Sequence, residues 1–132
     1  MKNNQKWHSE IINDDLKQLV KVEDEIFSCQ TKFQNVLIQK TPSFGIRLLL
    51  DNKTQSTELD EFIYHESLVH PSLVFHSNPK SVFVAGGGEG ATIREVLRDK
   101  NIDNVTMVDI DEEVVKVCKK YLPNHSAGAF DD

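Results

Sequence analysis

Two acidic residues stand where side-chain chemistry meets exposed backbone. Glu89 lies inside Gly86-Gly87-Gly88-Glu89-Gly90, and Asp109 follows it after about 20 residues. A carboxylate set among glycines can grip a cation, because the missing side chains let a ligand touch the main chain. An acid at the carboxyl end of a strand can accept the two hydroxyl hydrogen bonds of a ribose, worth roughly 1.5–3 kcal/mol each. The spacing Gly86-x-Gly88-x-x-Ala91 matches the dinucleotide fingerprint, in which a pyrophosphate rests on free N–H groups at a helix start. Glu89 puts a fixed negative charge at that place and would repel a diphosphate. The same charge suits a ligand with an ammonium or sulfonium and no phosphate, which favours an S-adenosyl nucleoside over NAD. Plainer roles stay open: Glu89 as a first-turn acid stabilising its helix by about 0.3–1 kcal/mol, and Asp109 as another helix-start acid.

The elements that must position these acids are legible around them. Ser81 to Ala85 is a short apolar run of the kind found in a fully buried parallel strand. Ala91 to Arg98 has helical composition, with Ile93, Val96 and Leu97 on one face. Val105 to Val108 predicts a second strand leading into Asp109. Asp111 reads as an N-cap with Glu112 and Glu113 in the first turn. Val114, Val117, Cys118 and Tyr121 then form an apolar stripe, and Pro123 ends that helix. Strand, glycine loop, helix, strand, helix is the start of a Rossmann-like parallel α/β sheet.

The first half of the chain has a different grammar. Glu23 to Gln30, Asn35 to Lys40 and Gly45 to Asp51 are short β-rich runs separated by polar or Pro/Gly positions, as in an antiparallel meander. Asp51-Asn52-Lys53 carries turn chemistry. From Glu58 the pattern becomes helical through Phe62, Ile63, Glu66 and Val69, with Pro71 kinking or restarting the helix. The expected organisation is a small β domain over residues 1–55, then a linking helix and the first βαβα portion of an α/β domain over 56–132. Two parallel strands leave hydrophobic edges unpaired, so this second domain is expected to be incomplete.

Composition bounds the function. The 132 residues are 39% hydrophobic and 27% charged, with a net charge of −6. That describes an ordinary globular protein and argues against nucleic acid or an anionic membrane as partner, since no basic run appears. The amino-terminal residues lack an apolar core of the signal-peptide kind, and no stretch approaches the ~18 apolar residues of a membrane span. Cys29 and Cys118 are far apart and form neither a disulfide framework nor a metal pair. His8, His70, His76 and His125 have no metal-ligand spacing and read as structural. The expectation is a cytoplasmic, reduced protein without a metal.

Several segments together resemble the polyamine aminopropyltransferases, the spermidine synthase family. They are Leu50-Asp51, Gln55-Ser56-Thr57-Glu58, Asp60-Glu61-Phe62-Ile63-Tyr64-His65-Glu66, Gly86 to Gly90, Arg94-Glu95-Val96, Asp109-Ile110-Asp111 and Tyr121-Leu122-Pro123-Asn124. Their order and spacing match from about Trp7 to the end of the chain. The resemblance implies transfer of an aminopropyl group from decarboxylated S-adenosylmethionine, a co-substrate rather than a cofactor, to putrescine or a longer polyamine. It implies that Glu89 holds the donor's ammonium, that Asp109 holds its ribose, and that Gly86 and Gly88 belong to the same binding loop. Gln34 and Gln55 would line the donor side, and Tyr64 and His65 would contact the aminopropyl chain and the attacking amine. Family members associate through the β domain, so a homodimer or larger assembly is expected.

The chain also departs from the family pattern. An Asp-Gly or Asp-Ala pair that touches adenine, and an Asp-x-x-Asp-Pro segment whose first Asp is the proposed base, fall beyond Asp132 in that pattern. The 132 residues are therefore expected to contain no catalytic base and to be inactive alone. Asp109 stands where many members have Glu. Two other readings remain: an S-adenosylmethionine-dependent methyltransferase, which shares the loop and the ribose acid, and a non-catalytic truncated assembly partner.

Overall fold

A computed structural model describes residues 6–132. The chain parts between Leu59 and Asp60 into two compact units. Residue 55 falls inside a strand, so the second unit begins at Asp60, four residues later than the pattern of residue types suggests.

The first unit is all antiparallel. Strands β1 (Lys6–Asn13) and β2 (Leu16–Val22) form a hairpin that the residue pattern did not delineate. The reason is visible in its exposure: Trp7, Ile11, Ile12, Leu16 and Leu19 face outward, so no inside-outside alternation marks the strands. A four-stranded meander follows in the order β3 (Asp24–Gln30), β4 (Asn35–Thr41), β5 (Gly45–Leu50), β6 (Lys53–Thr57). The Asp51-Asn52 loop joins β5 to β6 with φ of 48° and 63°, the left-handed pair that a two-residue hairpin needs. Val36, Ile38, Leu48 and Leu49 are buried in this unit. Beside them lies a buried guanidinium: Arg47 donates to Gln39 Oε1 from Nη2 at 2.7 Å and from Nε at 3.2 Å. A buried cation must be hydrogen-bonded in this way, or its burial would cost several kcal/mol.

The second unit opens with helix α1 (Glu61–Phe75), which runs on through Pro71 as one helix. Its buried residues are His65 and Val69, while Phe62 and Ile63 are 47% and 60% exposed. The buried stripe is therefore centred on a histidine and not on the apolar residues that outline the helix in the sequence. Strand β7 (Ser81–Ala85), helix α2 (Ala91–Leu97), strand β8 (Asn104–Val108), helix α3 (Glu112–Tyr121), the short helix α4 (Pro123–Ser126) and a 3-10 turn (Ala129–Asp131) follow. β7 and β8 pair in parallel, as expected. β7 is not fully buried, however: Val84 is 8% exposed and Phe83 66%. Among the described residues its only strand partner is β8, and its exposure alternates residue by residue, so one face is covered and the other is not. Asp111 caps α3 by accepting from the Glu113 amide at 3.1 Å. Val114, Val117 and Cys118 point inward from α3, and Pro123 begins α4 immediately after α3 ends. No helix among the described residues is long and apolar enough to cross a membrane.

Candidate functional site

The loop after β7 is shaped by backbone that only glycine adopts easily. Gly86, Gly87 and Gly90 have φ near +85°. The Gly86 amide donates to the Val108 carbonyl at 2.8 Å, which ties the loop to the end of β8. Gly88 matters for what it lacks. A Cβ there would lie 3.0 Å from Asp109 Oδ2 and 3.3 Å from Val114 Cγ1, so the bare α-carbon lets the loop close on Asp109. Gly90 is tighter still, with a Cβ position 2.6 Å from both Ser126 Cβ and Phe130 Cε2. Glu89 and Asp109 are thus brought to the same end of the two parallel strands. Asp109 uses Oδ1 to accept from the Asp111 amide at 2.9 Å, which orients its carboxylate.

Glu89 does not stand alone. Its Oε1 lies 2.9 Å from Nε2 of His65, and the Glu89 side chain is 18% exposed. His65 Nδ1 lies 2.8 Å from both the main-chain oxygen and Oε2 of Glu61, one helical turn earlier. Arg94, in the first turns of α2, grips Glu61 with both ends of its fork, Nη1 to Oε1 at 2.8 Å and Nη2 to Oε2 at 3.0 Å. The same guanidinium donates to Glu95 Oε1 at 2.9 Å and to the His125 carbonyl at 2.7 Å. Glu95, buried, is also met by His70 Nε2 at 2.8 Å and Arg98 Nη1 at 2.9 Å. A chain of charge-assisted contacts therefore runs from α2 through α1 to the glycine loop.

The electrostatics follow from this arrangement. Burial pushes the Glu89 carboxyl upward, but the hydrogen bond and charge of His65 prevail and hold it below the usual carboxylate range. Glu61 behaves likewise under the opposing influence of Arg94 and His65. Burial would lower the His65 imidazole, yet Glu89 and Glu61 raise it above its ordinary value. His125, buried and with less support, is pushed down.

The structure distributes the expected site residues unevenly. Gly86, Gly88, Glu89 and Asp109 gather at the ends of β7 and β8. Tyr64 is 63% exposed, with its ring edge-on to His65 at 5.0 Å between centroids, so it is not a core tyrosine. His65, beside it, is 1% exposed, with Nδ1 against Glu61 and Nε2 against Glu89. Gln34 and Gln55 belong to the first unit. The Gln34 amide is held by Thr31 Oγ1 in the β3–β4 turn, and Gln55 is exposed on β6 with Nε2 donating to the Lys53 carbonyl. Residue-type reasoning assigned no role to Glu61, Arg94 or Glu95. The Glu61–His65 spacing of four on a helix was the available signal, since it stacks the two side chains on one face. Among the described residues no group of three or more His, Cys, Asp or Glu side chains is arranged to hold a metal ion.

Fold and site together define a glycine-loop α/β unit that presents two carboxylates at the ends of adjacent parallel strands. Residues 61–132 match the spermine/spermidine synthase domain, and residues 6–58 match the spermidine synthase tetramerisation domain. The chain belongs to the spermine/spermidine synthase family. It is 46% identical over 126 residues to the polyamine aminopropyltransferase of Aeropyrum pernix, covering 96% of this chain and 40% of that protein. It is 44% identical over its whole length to the polyamine aminopropyltransferase of Salmonella arizonae, covering 46% of it. Among solved structures, spermidine synthase from Thermotoga maritima superposes with a TM-score of 0.91 at 37% identity, over 96% of this chain and 45% of the other. A spermidine synthase in complex with the transition-state analogue AdoDATO gives 0.93 at 36% identity, over 98% and 44%. The chain thus spans less than half the length of the relatives it matches.

Proposed function

We propose that this chain carries the donor-binding part of a polyamine aminopropyltransferase site, with decarboxylated S-adenosylmethionine as donor and putrescine as acceptor. The observation that carries the reading is the Glu89 carboxylate, held ionised by His65 on a glycine loop that closes against Asp109. Glu89 then attracts the donor's ammonium, and Asp109 accepts from the ribose hydroxyls. Tyr64, exposed beside His65, lies alongside the aminopropyl chain; the family resemblance extends the donor-binding role to Gln34 and Gln55. The reaction is displacement at the carbon next to a sulfonium. The amine nitrogen forms its bond to that carbon, the C–S bond breaks, methylthioadenosine leaves, and a proton is lost from nitrogen. Because the leaving group is already good, the protein's work is alignment and proton removal. Assembly into a homodimer or larger oligomer through the first unit, in a cytoplasmic setting, belongs to the same reading; the match of residues 6–58 to a tetramerisation domain supports the assembly.

Calorimetric binding of paired nucleosides tests this. Decarboxylated S-adenosylmethionine is expected to bind more tightly than S-adenosylhomocysteine, whose carboxylate Glu89 repels. Glu89→Gln is expected to weaken the decarboxylated donor by roughly 10- to 100-fold, the worth of one charged hydrogen bond. Equal or tighter binding of S-adenosylhomocysteine would favour a methyltransferase and refute the reading.

A further inference from the structure

The hydrogen-bond inventory around His65 determines where its protons sit. Nδ1 faces a main-chain carbonyl oxygen, which can only accept, so Nδ1 carries a proton. Nε2 faces the carboxylate of Glu89, which also only accepts, so Nε2 carries one too. The ring is then an imidazolium, and the linked charges of the cluster balance: Glu61, Glu89 and Glu95 are negative, His65, Arg94 and Arg98 positive. Of the other titratable groups around it, Tyr64 lies edge-on to the ring, Asp109 faces the glycine loop from the end of β8, Cys118 lies buried on α3, and His125 comes from α4 and is driven towards its neutral form by burial. A neutral His65 would leave that cluster with an uncompensated negative charge and set a lone pair against Glu89 Oε1.

Glu61 is what keeps the ring in this state, and Arg94 is what keeps Glu61 in place. The two guanidinium contacts fix both oxygens of Glu61, and the bond from Arg94 to the His125 carbonyl anchors the fork to α4. With Nδ1 pinned to Glu61, the opposite ring nitrogen is aimed at one oxygen of Glu89. We propose that Glu61 and Arg94 are positioning residues that hold His65 as a doubly protonated ring, so that His65 orients the Glu89 carboxylate for a cationic ligand. This rests on the reading of Glu89 as the donor's ammonium site. None of the three touches the ligand; Glu61 and Arg94 act through His65, and His65 acts through Glu89.

The test is a nitrogen-15 NMR titration of the histidine rings in the 132-residue chain. Both His65 nitrogens are expected to show the N–H signature at pH 7. In Glu61→Gln, which retains an acceptor but loses the charge, the His65 midpoint is expected to fall by at least about one pH unit. The variant is also expected to bind decarboxylated S-adenosylmethionine several-fold more weakly, with Glu61→Asp recovering part of both effects. A singly protonated His65 at pH 7 in the unmodified chain overturns the proposal, and so does an unchanged midpoint in a folded Glu61→Gln. Should that variant fail to fold, the unmodified chain's spectrum decides alone. A doubly protonated His65 in a chain that does not prefer the decarboxylated donor would leave the positioning intact and remove the ligand assignment instead.

Discussion

Replacing Arg94 by methionine removes the cation that joins the most contacts around the site. The Arg94 side chain is 18% exposed, and its partners Glu61 and Glu95 are 10% and 2% exposed, so these pairs are shielded from solvent. Breaking one partner out of a buried pair costs about 3–5 kcal/mol, because the other charge stays buried without compensation. Glu61 would retain His65, and Glu95 would retain His70 and Arg98, which places the loss near the lower end. A loss of about 3 kcal/mol at ~4–8 °C per kcal/mol lowers the melting temperature by roughly 12–24 °C. Circular dichroism melts of the two chains measure it directly. Lys116→Met serves as control: Lys116 meets Glu112 and Glu113 on the surface of α3, and its loss is expected to leave the melting temperature unchanged. A drop of less than about 4 °C in Arg94→Met, or an equal drop in the control, refutes the claim that this network holds α1 to α2.

Alanine at two loop glycines separates backbone strain from crowding. Gly86→Ala meets nothing within 4 Å and is expected to cost only the left-handed conformation, about 1–2 kcal/mol. Gly90→Ala adds a collision with Ser126 and Phe130 and is expected to cost about 2–5 kcal/mol; equal losses in urea melts would contradict the geometry. The histidines give stability opposing pH dependences. His65 is raised in the fold, so its share is complete below pH 6.5 and fades as pH rises through its folded value. His125 is lowered, so its share is present above 6.5 and is lost as pH falls through its folded value. In His125→Asn the His65 trend is no longer opposed by His125, and stability is expected to rise as pH falls through the folded value of His65 towards 6.5; a falling profile would show the signs to be wrong. Cys118 is fully buried with its thiol pushed up to about 12, mainly by burial, whereas Cys29 is half-buried. Iodoacetamide is expected to label Cys29 in the native chain and Cys118 only after unfolding, as peptide mass mapping would report.

Local rules carried much of this protein. The Asp51-Asn52 turn, the Asp111 cap, the inward stripe of α3 and the glycine loop each depend on a few neighbouring residues, and each is present where its residue types suggest. Such features are legible because turn, cap and helical periodicity act over four residues or so. Burial was less legible. Ser81 to Ala85 has the composition of a strand covered on both faces, but exposure depends on what packs against it, and the covered face here is only one. The β1–β2 hairpin left no clear alternation because its apolar side chains lie outward. The wiring of the site depended wholly on tertiary structure. His65 and Glu89 are 24 residues apart, and Glu61 and Arg94 are 33 apart. No local preference selects such partners; the packing of α1 on α2 brings them within hydrogen-bond distance. The sequence by itself determined that an acid would sit in a glycine loop at the end of a strand. Only the packed helices decided that this acid would be held by a buried histidine, because an ion pair forms where desolvated charges are forced together, not where they are written in the chain.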